Sequence, residues 1–277
     1  MIYNGLTMRH ELKYYIPYAD YLAVRSRMAA FMLPDENMAD PDGYHVRSLY
    51  FDDPVFTSKF EKINGYMNRS KNRIRIYNKS LDFIRFEKKV KISYYVGKRT
   101  ARITQQQLTA ILRNDTGILL QSESPVLHRF YADQKIHRLR PVVLLDYRRE
   151  AFKYKAGNVR VTFDHELRGA YGEFDDSLSD EGLISTSVYP PQMLMMEVKY
   201  DDFLPSAIKR LIRPYTARRS AVSKYVLSIK ALRIGEMYGI GGLFPSIYTN
   251  NGDTYDTAAN VDSGDGGGGR AVHFLHL

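Results

Sequence analysis

The sequence predicts an α+β protein built on an antiparallel eight-stranded β-barrel, a tunnel with flanking helices and a disordered C-terminal tail. Three observations predict it. Seven or eight segments of strand length alternate in character, so that successive side chains fall on opposite faces. The linkers between them are mostly of a length that joins antiparallel neighbours. One face of several segments is charged: Glu11 and Lys13; Arg73 and Arg75; Glu87, Lys89 and Lys91; Arg149; Arg160; Glu197 and Lys199. With all those faces turned inward, a closed sheet encloses a charged tunnel rather than a packed core.

The whole chain sets the frame. Its 277 residues with 44% hydrophobic content suffice for one large domain, expected over 1–234, followed by a tail over 235–277. There is no cysteine, which excludes disulfides, thiolate chemistry and cysteine-based zinc sites. The N-terminus has no apolar run of signal-peptide length and no stretch is long and apolar enough to span a bilayer, so a cytoplasmic protein without a membrane span is expected. Net charge is +9, and it is uneven. Residues 236–277 carry five acids and one base, a net −4, so residues 1–235 carry +13. A body that basic implies an anionic partner.

Taken in order, residues 8–16 (MRHELKYYI) alternate and read as a first strand with Arg9, Glu11 and Lys13 on one face. Pro17 ends it, and Asp20 is expected to cap a helix to about Met32 with Tyr21, Leu22, Val24, Met28 and Phe31 as its apolar stripe. Residues 44–52 (YHVRSLYFD) form a second strand, and Asp53-Pro54 opens a helical turn that Asn64-Gly65 ends. Residues 69–98 hold two long strands with a turn near 78–82. Thr104 caps a helix, QQQLTAILRN, and Ser124 caps another, with Pro125 at its first position where the missing N–H costs nothing. Residues 141–152 and 158–167 are two more strands, 169–190 reads as a Gly, Ser and Asp-rich loop, and 193–200 (MLMMEVKY) is the last strand. Helices follow over 206–211 and 220–232, with Ser223 and Lys224 near the start of the second, where free N–H groups and the helix dipole favour anions. Beyond Ile234 the composition is too poor in apolar residues to repay ordering.

The stretch that organises the rest is residues 69–98. Arg69, Lys71, Arg73 and Arg75 share one strand face, as do Glu87, Lys89 and Lys91. Such a file of cations repels itself unless water or an anion neutralises it. Phosphate is the natural partner, because its oxygens accept the planar fork of Arg bidentately. The plain alternative is the solvated face of a sheet. A nucleic-acid surface is disfavoured because acids sit at Glu-x-Lys positions, where they would oppose a phosphodiester backbone, and the pattern lacks a face of cations interleaved with stacking aromatics.

The ordered set RHELKY, YHVRSLYFD, KNRIRIY, FEKKVK, DYRREAF, VRVTFD, MEVKY and SKY, spanning about residues 8–230, closely resembles the VTC domain, the polyphosphate polymerase domain of the triphosphate tunnel metalloenzyme (CYTH-like) superfamily. The resemblance implies a barrel tunnel that binds triphosphate or polyphosphate with Mn²⁺ or Mg²⁺. It implies that Lys13, Arg73, Arg75, Lys89, Arg149 and Arg160 act on the phosphate chain, that Tyr147, Ser223, Lys224, Lys98 and Lys91 bind it, and that Glu197, with Glu87 and Glu11, holds the metal. It further implies transfer of the γ-phosphoryl of ATP to a growing polyphosphate chain, with a triphosphatase acting on tripolyphosphate or a non-catalytic polyphosphate or nucleotide sensor as the alternatives. The wider superfamily begins with Glu-x-Glu-x-Lys; here Arg9 stands at the first Glu, which removes one metal ligand.

Overall fold

The computed structural model describes residues 1–38, 40–216 and 219–234; the tail expected over 235–277 lies outside the described residues. A short hairpin, β1 (Ile2–Tyr3) and β2 (Leu6–Thr7), precedes the first long strand, β3 (Arg9–Pro17). Then come α1 (Tyr18–Ala29), β4 (Leu33–Pro34), β5 (Tyr44–Asp52), α2 (Thr57–Ile63), β6 (Arg69–Tyr77), β7 (Ser80–Ile92) and β8 (Tyr95–Ile103). After α3 (Gln105–Leu112) and α4 (Pro125–His137) the chain runs through β9 (Arg140–Tyr154), β10 (Val159–Tyr171), β11 (Ile184–Ser187), β12 (Met193–Tyr200), α5 (Ser206–Leu211) and α6 (Lys224–Ala231).

Eight strands close a barrel in the order β10-β12-β3-β8-β7-β6-β5-β9, with β9 paired back onto β10 and every pairing antiparallel. β11 and β4 add to it from β10 and β9. The seam between β3 and β8 is short, joining Arg9 to Val96 and His10 to Tyr95. Where it ends, the residues before α6 take over: Ser220 N–H donates to Lys13 O at 2.8 Å, and Tyr14 bridges Arg219.

The apolar face of the strands points outward, under helices. Leu49, Ile74, Ile76, Ile84 and Phe86 pack against Leu108, Ile111 and Phe130 of α3 and α4. On the other side Ile16, Val161, Phe163, Met196 and Val198 pack against Tyr21, Val24 and Met28 of α1 and Ile208 of α5. Charged side chains at i, i+2 therefore line the inside, as period-two alternation demands. At one end the lumen is apolar and filled by α6, whose Tyr225, Val226 and Ile229 meet Val143, Leu145, Tyr147 and Met195.

Local signals explain several elements. Thr104 and Gln107 form a reciprocal capping box at α3. Asn78 and Lys79, at φ 51° and 58°, make the tight left-handed turn between β6 and β7. Gly43 sits at φ +89°, and a Cβ there would lie 2.3 Å from Arg149 O, so only glycine lets β5 start against β9.

The structure corrects other expectations. Residues 95–98, expected within the second of two long strands, instead open a separate strand, β8, the eighth barrel wall. The segment expected as loop from 169 contains the end of β10 and all of β11. Asp20 lies inside α1 rather than at its N-cap, which is Pro17; its carboxylate accepts the N–H groups of Tyr215 and Thr216 and so ties down the chain after α5. α1 ends at Ala29, leaving Phe31 65% exposed, and Leu22 also faces solvent. The last helix begins at Lys224, with the residues expected as its first turn crossing the barrel end instead.

Candidate functional site

The lumen holds three carboxylate-centred sets, the first two linked by shared lysines. In the first, Asp164 on β10 is fully buried and accepts both arms of the Arg149 guanidinium on β9, at 2.6 and 2.7 Å. These residues are cross-strand partners in register. The ammonium of Lys224, brought in by the first turn of α6, lies 2.5 Å from Asp164 and 2.8 Å from Glu197 on β12. In the second, Glu11 on β3 is held by Lys13 at 3.1 Å and Lys89 on β7 at 3.0 Å. Lys199 bridges the two sets, 3.2 Å from Glu197 and 3.8 Å from Glu11, as does Lys13, 3.7 Å from Glu197. In the third, Glu87 on β7 is fully buried between Arg73 on β6 at 2.6 Å and Lys98 on β8 at 2.7 Å, with Arg75 at 3.8 Å.

Phenols and hydroxyls orient the arginines. Arg73 donates to Tyr50 Oη at 2.8 Å; Arg75 donates to Ser48 Oγ and Tyr147 Oη, each at 3.0 Å. Arg160 donates to Asp35 at 2.9 Å and to Tyr44 Oη at 3.0 Å. Ser223, the residue before α6, accepts from Lys71 at 3.4 Å, and the Lys71 ammonium stands 4.4 Å over the Tyr225 ring. Tyr225 Oη donates to Asp52, whose carboxylate also accepts N–H groups at the start of α2, so α6 is fastened to the barrel rim.

The electrostatics follow from burial among excess cations. Burial pushes the Glu197 carboxyl up, yet Lys224, Lys199, Lys13 and Arg149 together hold it well below the usual range. Burial likewise opposes Glu87, and Arg73, Arg75 and Lys98 outweigh it. Lys199 goes the other way: burial takes its ammonium down to about 7 despite Glu197 and Glu11. Lys89 is also lowered, by burial and by Lys13 and Arg73. In the same lumen Lys13, Arg73, Arg149 and Lys224 are raised, because their carboxylates outweigh burial.

The structure brings together Lys13, Lys89, Arg149, Lys224, Glu11 and Glu197, and beside them Arg73, Arg75, Lys98, Tyr147 and Glu87. Arg160 stands at one end of the tunnel with Asp35, and Ser223 at the other with Lys71. Lys91 lies apart, opposite Arg69 in register, lowered by burial and by that guanidinium. Glu87 shares none of its cations with Glu11 or Glu197. Among the described residues no group of three or more His, Cys, Asp or Glu is placed to hold a metal ion. Glu11 and Glu197, joined through Lys13 and Lys199, are of the donor type a hard divalent ion such as Mg²⁺ takes, one or two carboxylates with water and phosphate oxygens completing its shell. Lys71 and Lys199, expected on charged strand faces but given no role, join the site together with Asp164, Tyr50 and Asp35, for which no role was expected. Strand alternation already placed Asp164 with Arg160, and Lys199 with Glu197; the loop residue Asp35 gave no local signal.

These features define a class: a closed antiparallel barrel with a cation-rich lumen, the triphosphate-tunnel type of fold. The VTC domain family matches residues 8–233, and the chain belongs to that family. Among solved structures the chain is similar to a candidate adenylate cyclase from Bacillus halodurans, at 14% identity over 85% of this chain and 92% of that one, TM-score 0.43. It is similar to the PH1819 protein from Pyrococcus horikoshii, at 15% identity over 80% and 99%, TM-score 0.41. A candidate adenylyl cyclase from Hippeastrum, described as having a dominant triphosphatase activity, is similar at 16% identity over 80% and 96%, TM-score 0.46. No curated protein matches the chain by sequence.

Proposed function

We propose that the protein is a metal-dependent polyphosphate polymerase-like phosphotransferase, moving the γ-phosphoryl of ATP onto the end of a polyphosphate chain inside the tunnel. The observation that carries this reading is the surplus of cations in the lumen. Lys13, Lys71, Arg73, Arg75, Lys89, Lys98, Arg149, Arg160, Lys199 and Lys224 stand against Glu11, Asp35, Glu87, Asp164 and Glu197, about two to one. A triphosphate supplies the missing negative charge and enough oxygens to engage several donors at once.

In this reading Arg73, Arg75 and Arg149 grip phosphate oxygens as forks, while Lys13, Lys89 and Lys224 act as point charges that shift from their carboxylates to the phosphates. Tyr147 and Ser48 keep the Arg75 fork fixed, so ordering it costs little on binding. The terminal phosphate oxygen of the chain forms a bond to the γ-phosphorus as the β–γ bridging P–O bond breaks, and ADP leaves with the bridging oxygen. Such transfer needs alignment and charge stabilisation rather than a protein nucleophile. Release of Lys13, Lys199 and Lys224 to the substrate frees Glu11 and Glu197 to hold Mn²⁺ or Mg²⁺, which when bound neutralises the phosphate oxygens. Glu87, enclosed by Arg73 and Lys98, serves in this scheme to position those two. ATP and inorganic polyphosphate are the proposed partners, in the cytoplasm.

The test is purified protein with ATP and Mn²⁺, with products resolved by chain length and Arg73→Ala and Glu197→Gln beside the wild type. Long chains made by the wild type and lost in both variants are expected. Orthophosphate without chains would replace the polymerase by a triphosphatase, and tight triphosphate binding without turnover would leave a sensor.

A further inference from the structure

The end of the barrel around α2 gathers cations and apolar side chains. Lys62 follows on α2, and Arg69 on β6 faces Lys91 on β7. Burial first, then Arg69, Lys13 and Lys91, take the Lys62 ammonium down to about 8; Arg69 and Lys91 are lowered by burial as well. Glu61 is the carboxylate among them, and its carboxyl is raised, by burial and by Asp52. Three cations thus share this end of the barrel with one carboxylate of α2, Glu61.

The same rim carries exposed apolar side chains. Tyr94 in the β7–β8 turn is 69% exposed, Tyr66 51% and Met67 47%, and Phe60, Ile63 and Tyr3 are exposed too. They are contiguous with the cations. The rings of Phe60 and Tyr66 lie 6.0 Å apart, the Arg69 guanidinium donates to Tyr66 O, and Ser93 N–H, next to Tyr94, donates to Met67 O at 3.1 Å. Tyr3, Glu61, Arg69 and Lys91 line one open cavity of about 370 Å³.

We propose that this rim, formed by α2, the 64–67 turn and the β7–β8 turn, is a docking surface for an anionic lipid bilayer. A bilayer interface takes both components at once: its headgroups neutralise Lys62, Arg69 and Lys91, and its acyl boundary accepts Tyr66, Met67, Ile63 and Tyr94. A phosphate chain would use the cations and leave the apolar residues in water. A second copy of the chain would set like charges against each other across a two-fold contact. Single-stranded nucleic acid would stack on the tyrosines but has no use for Met67 and Ile63. The proposal does not depend on the phosphotransferase reading.

The test is co-sedimentation of the full chain with phosphatidylcholine vesicles, with and without phosphatidylserine. Binding is expected only with phosphatidylserine, and it should weaken with salt. Lys62→Ala with Arg69→Ala should weaken it about thirtyfold, at roughly fivefold per cation near a charged surface. Tyr66→Ser with Met67→Ser and Tyr94→Ser should weaken it at least about tenfold through lost apolar insertion, while tripolyphosphate binding and the melting temperature stay at wild-type values. Absence of binding to phosphatidylserine vesicles overturns the proposal. So does binding that the triple serine variant retains in full, which would leave an attraction by the cations alone with no apolar insertion.

Discussion

Arg149 and Glu150 are neighbours on β9 and belong to different worlds. Arg149 points into the lumen, where Asp164, Glu197 and Lys224 surround it and cations outnumber acids. Glu150 points outward, where Tyr21 and Arg25 donate to it and His165 stands 3.0 Å away. A second outer network is centred on Arg47 of β5, which gives both arms to Asp146 and a further bond to Leu178 O, with Asp180 at 3.0 Å. The outer networks set each buried charge against an opposite one, and fasten helix or loop to barrel. The inner one is unmatched in charge. The same residue types thus do opposite work, and which work is decided by the balance of charge around them.

The comparison breaks first at Arg47. Arg47→Met leaves Asp146 and the Leu178 carbonyl without their donor, so it should cost about 3 kcal/mol of unfolding free energy with tripolyphosphate binding unchanged; denaturant titration and calorimetric binding read the two effects. Arg149→Ala should do the reverse, weakening tripolyphosphate binding about a hundredfold through loss of a charged fork, because Asp164 still keeps Lys224. Lys199→Met should weaken binding about fivefold yet raise the melting temperature. The folded pKa of Lys199 is depressed to about 7, so its charge costs stability below the unfolded value and costs most below about pH 7, where the scan should be run. A variant that lost stability there would show the inner set to be matched after all.

Glu150 supplies the pH test. Burial pushes it up, and hydrogen bonding to His165, Arg25 and Tyr21 brings it down to about 2 from 4.5. Its folded value is depressed, so its contribution is present above about pH 4.5 and is lost as pH falls towards 2. Glu150→Gln should flatten acid unfolding in that window. The smallest effect is Thr104→Ala, about 1 kcal/mol from the lost capping box, with binding untouched.

Much of this was legible in the sequence because a barrel strand has a period of two. β5, β12 and α5 begin and end where the pattern put them, and Lys13, Arg73, Arg75, Lys89, Arg149 and Lys224 all reach the lumen. What the pattern could not give was phase where both faces are occupied. Arg47 and Ser48 sit on a strand buried on both sides, and Arg47 turns outward. In the run Lys88-Lys89, Lys88 pairs with Asp133 of α4 outside while Lys89 meets Glu11 inside. β8 was invisible because Lys98, Arg99, Thr100 and Arg102 are polar on both faces and its turn, with Ser93 at φ 52°, lacks an Asn-Gly signature. Asp20 looked like a cap because its partners, Tyr215 and Thr216, are nearly two hundred residues away.

The short seam between β3 and β8 bears on how the protein is made. Residues 219–220, placed late in the domain, complete the edge of its first long strand, and β12 forms the other flank of that strand. The wall therefore cannot close until nearly the whole domain has left the ribosome, and the pairs that close it span the largest sequence separations in the fold. Until then β3 beyond His10 waits with bare backbone groups on both sides, an aggregation hazard blunted by its Glu11 and Lys13.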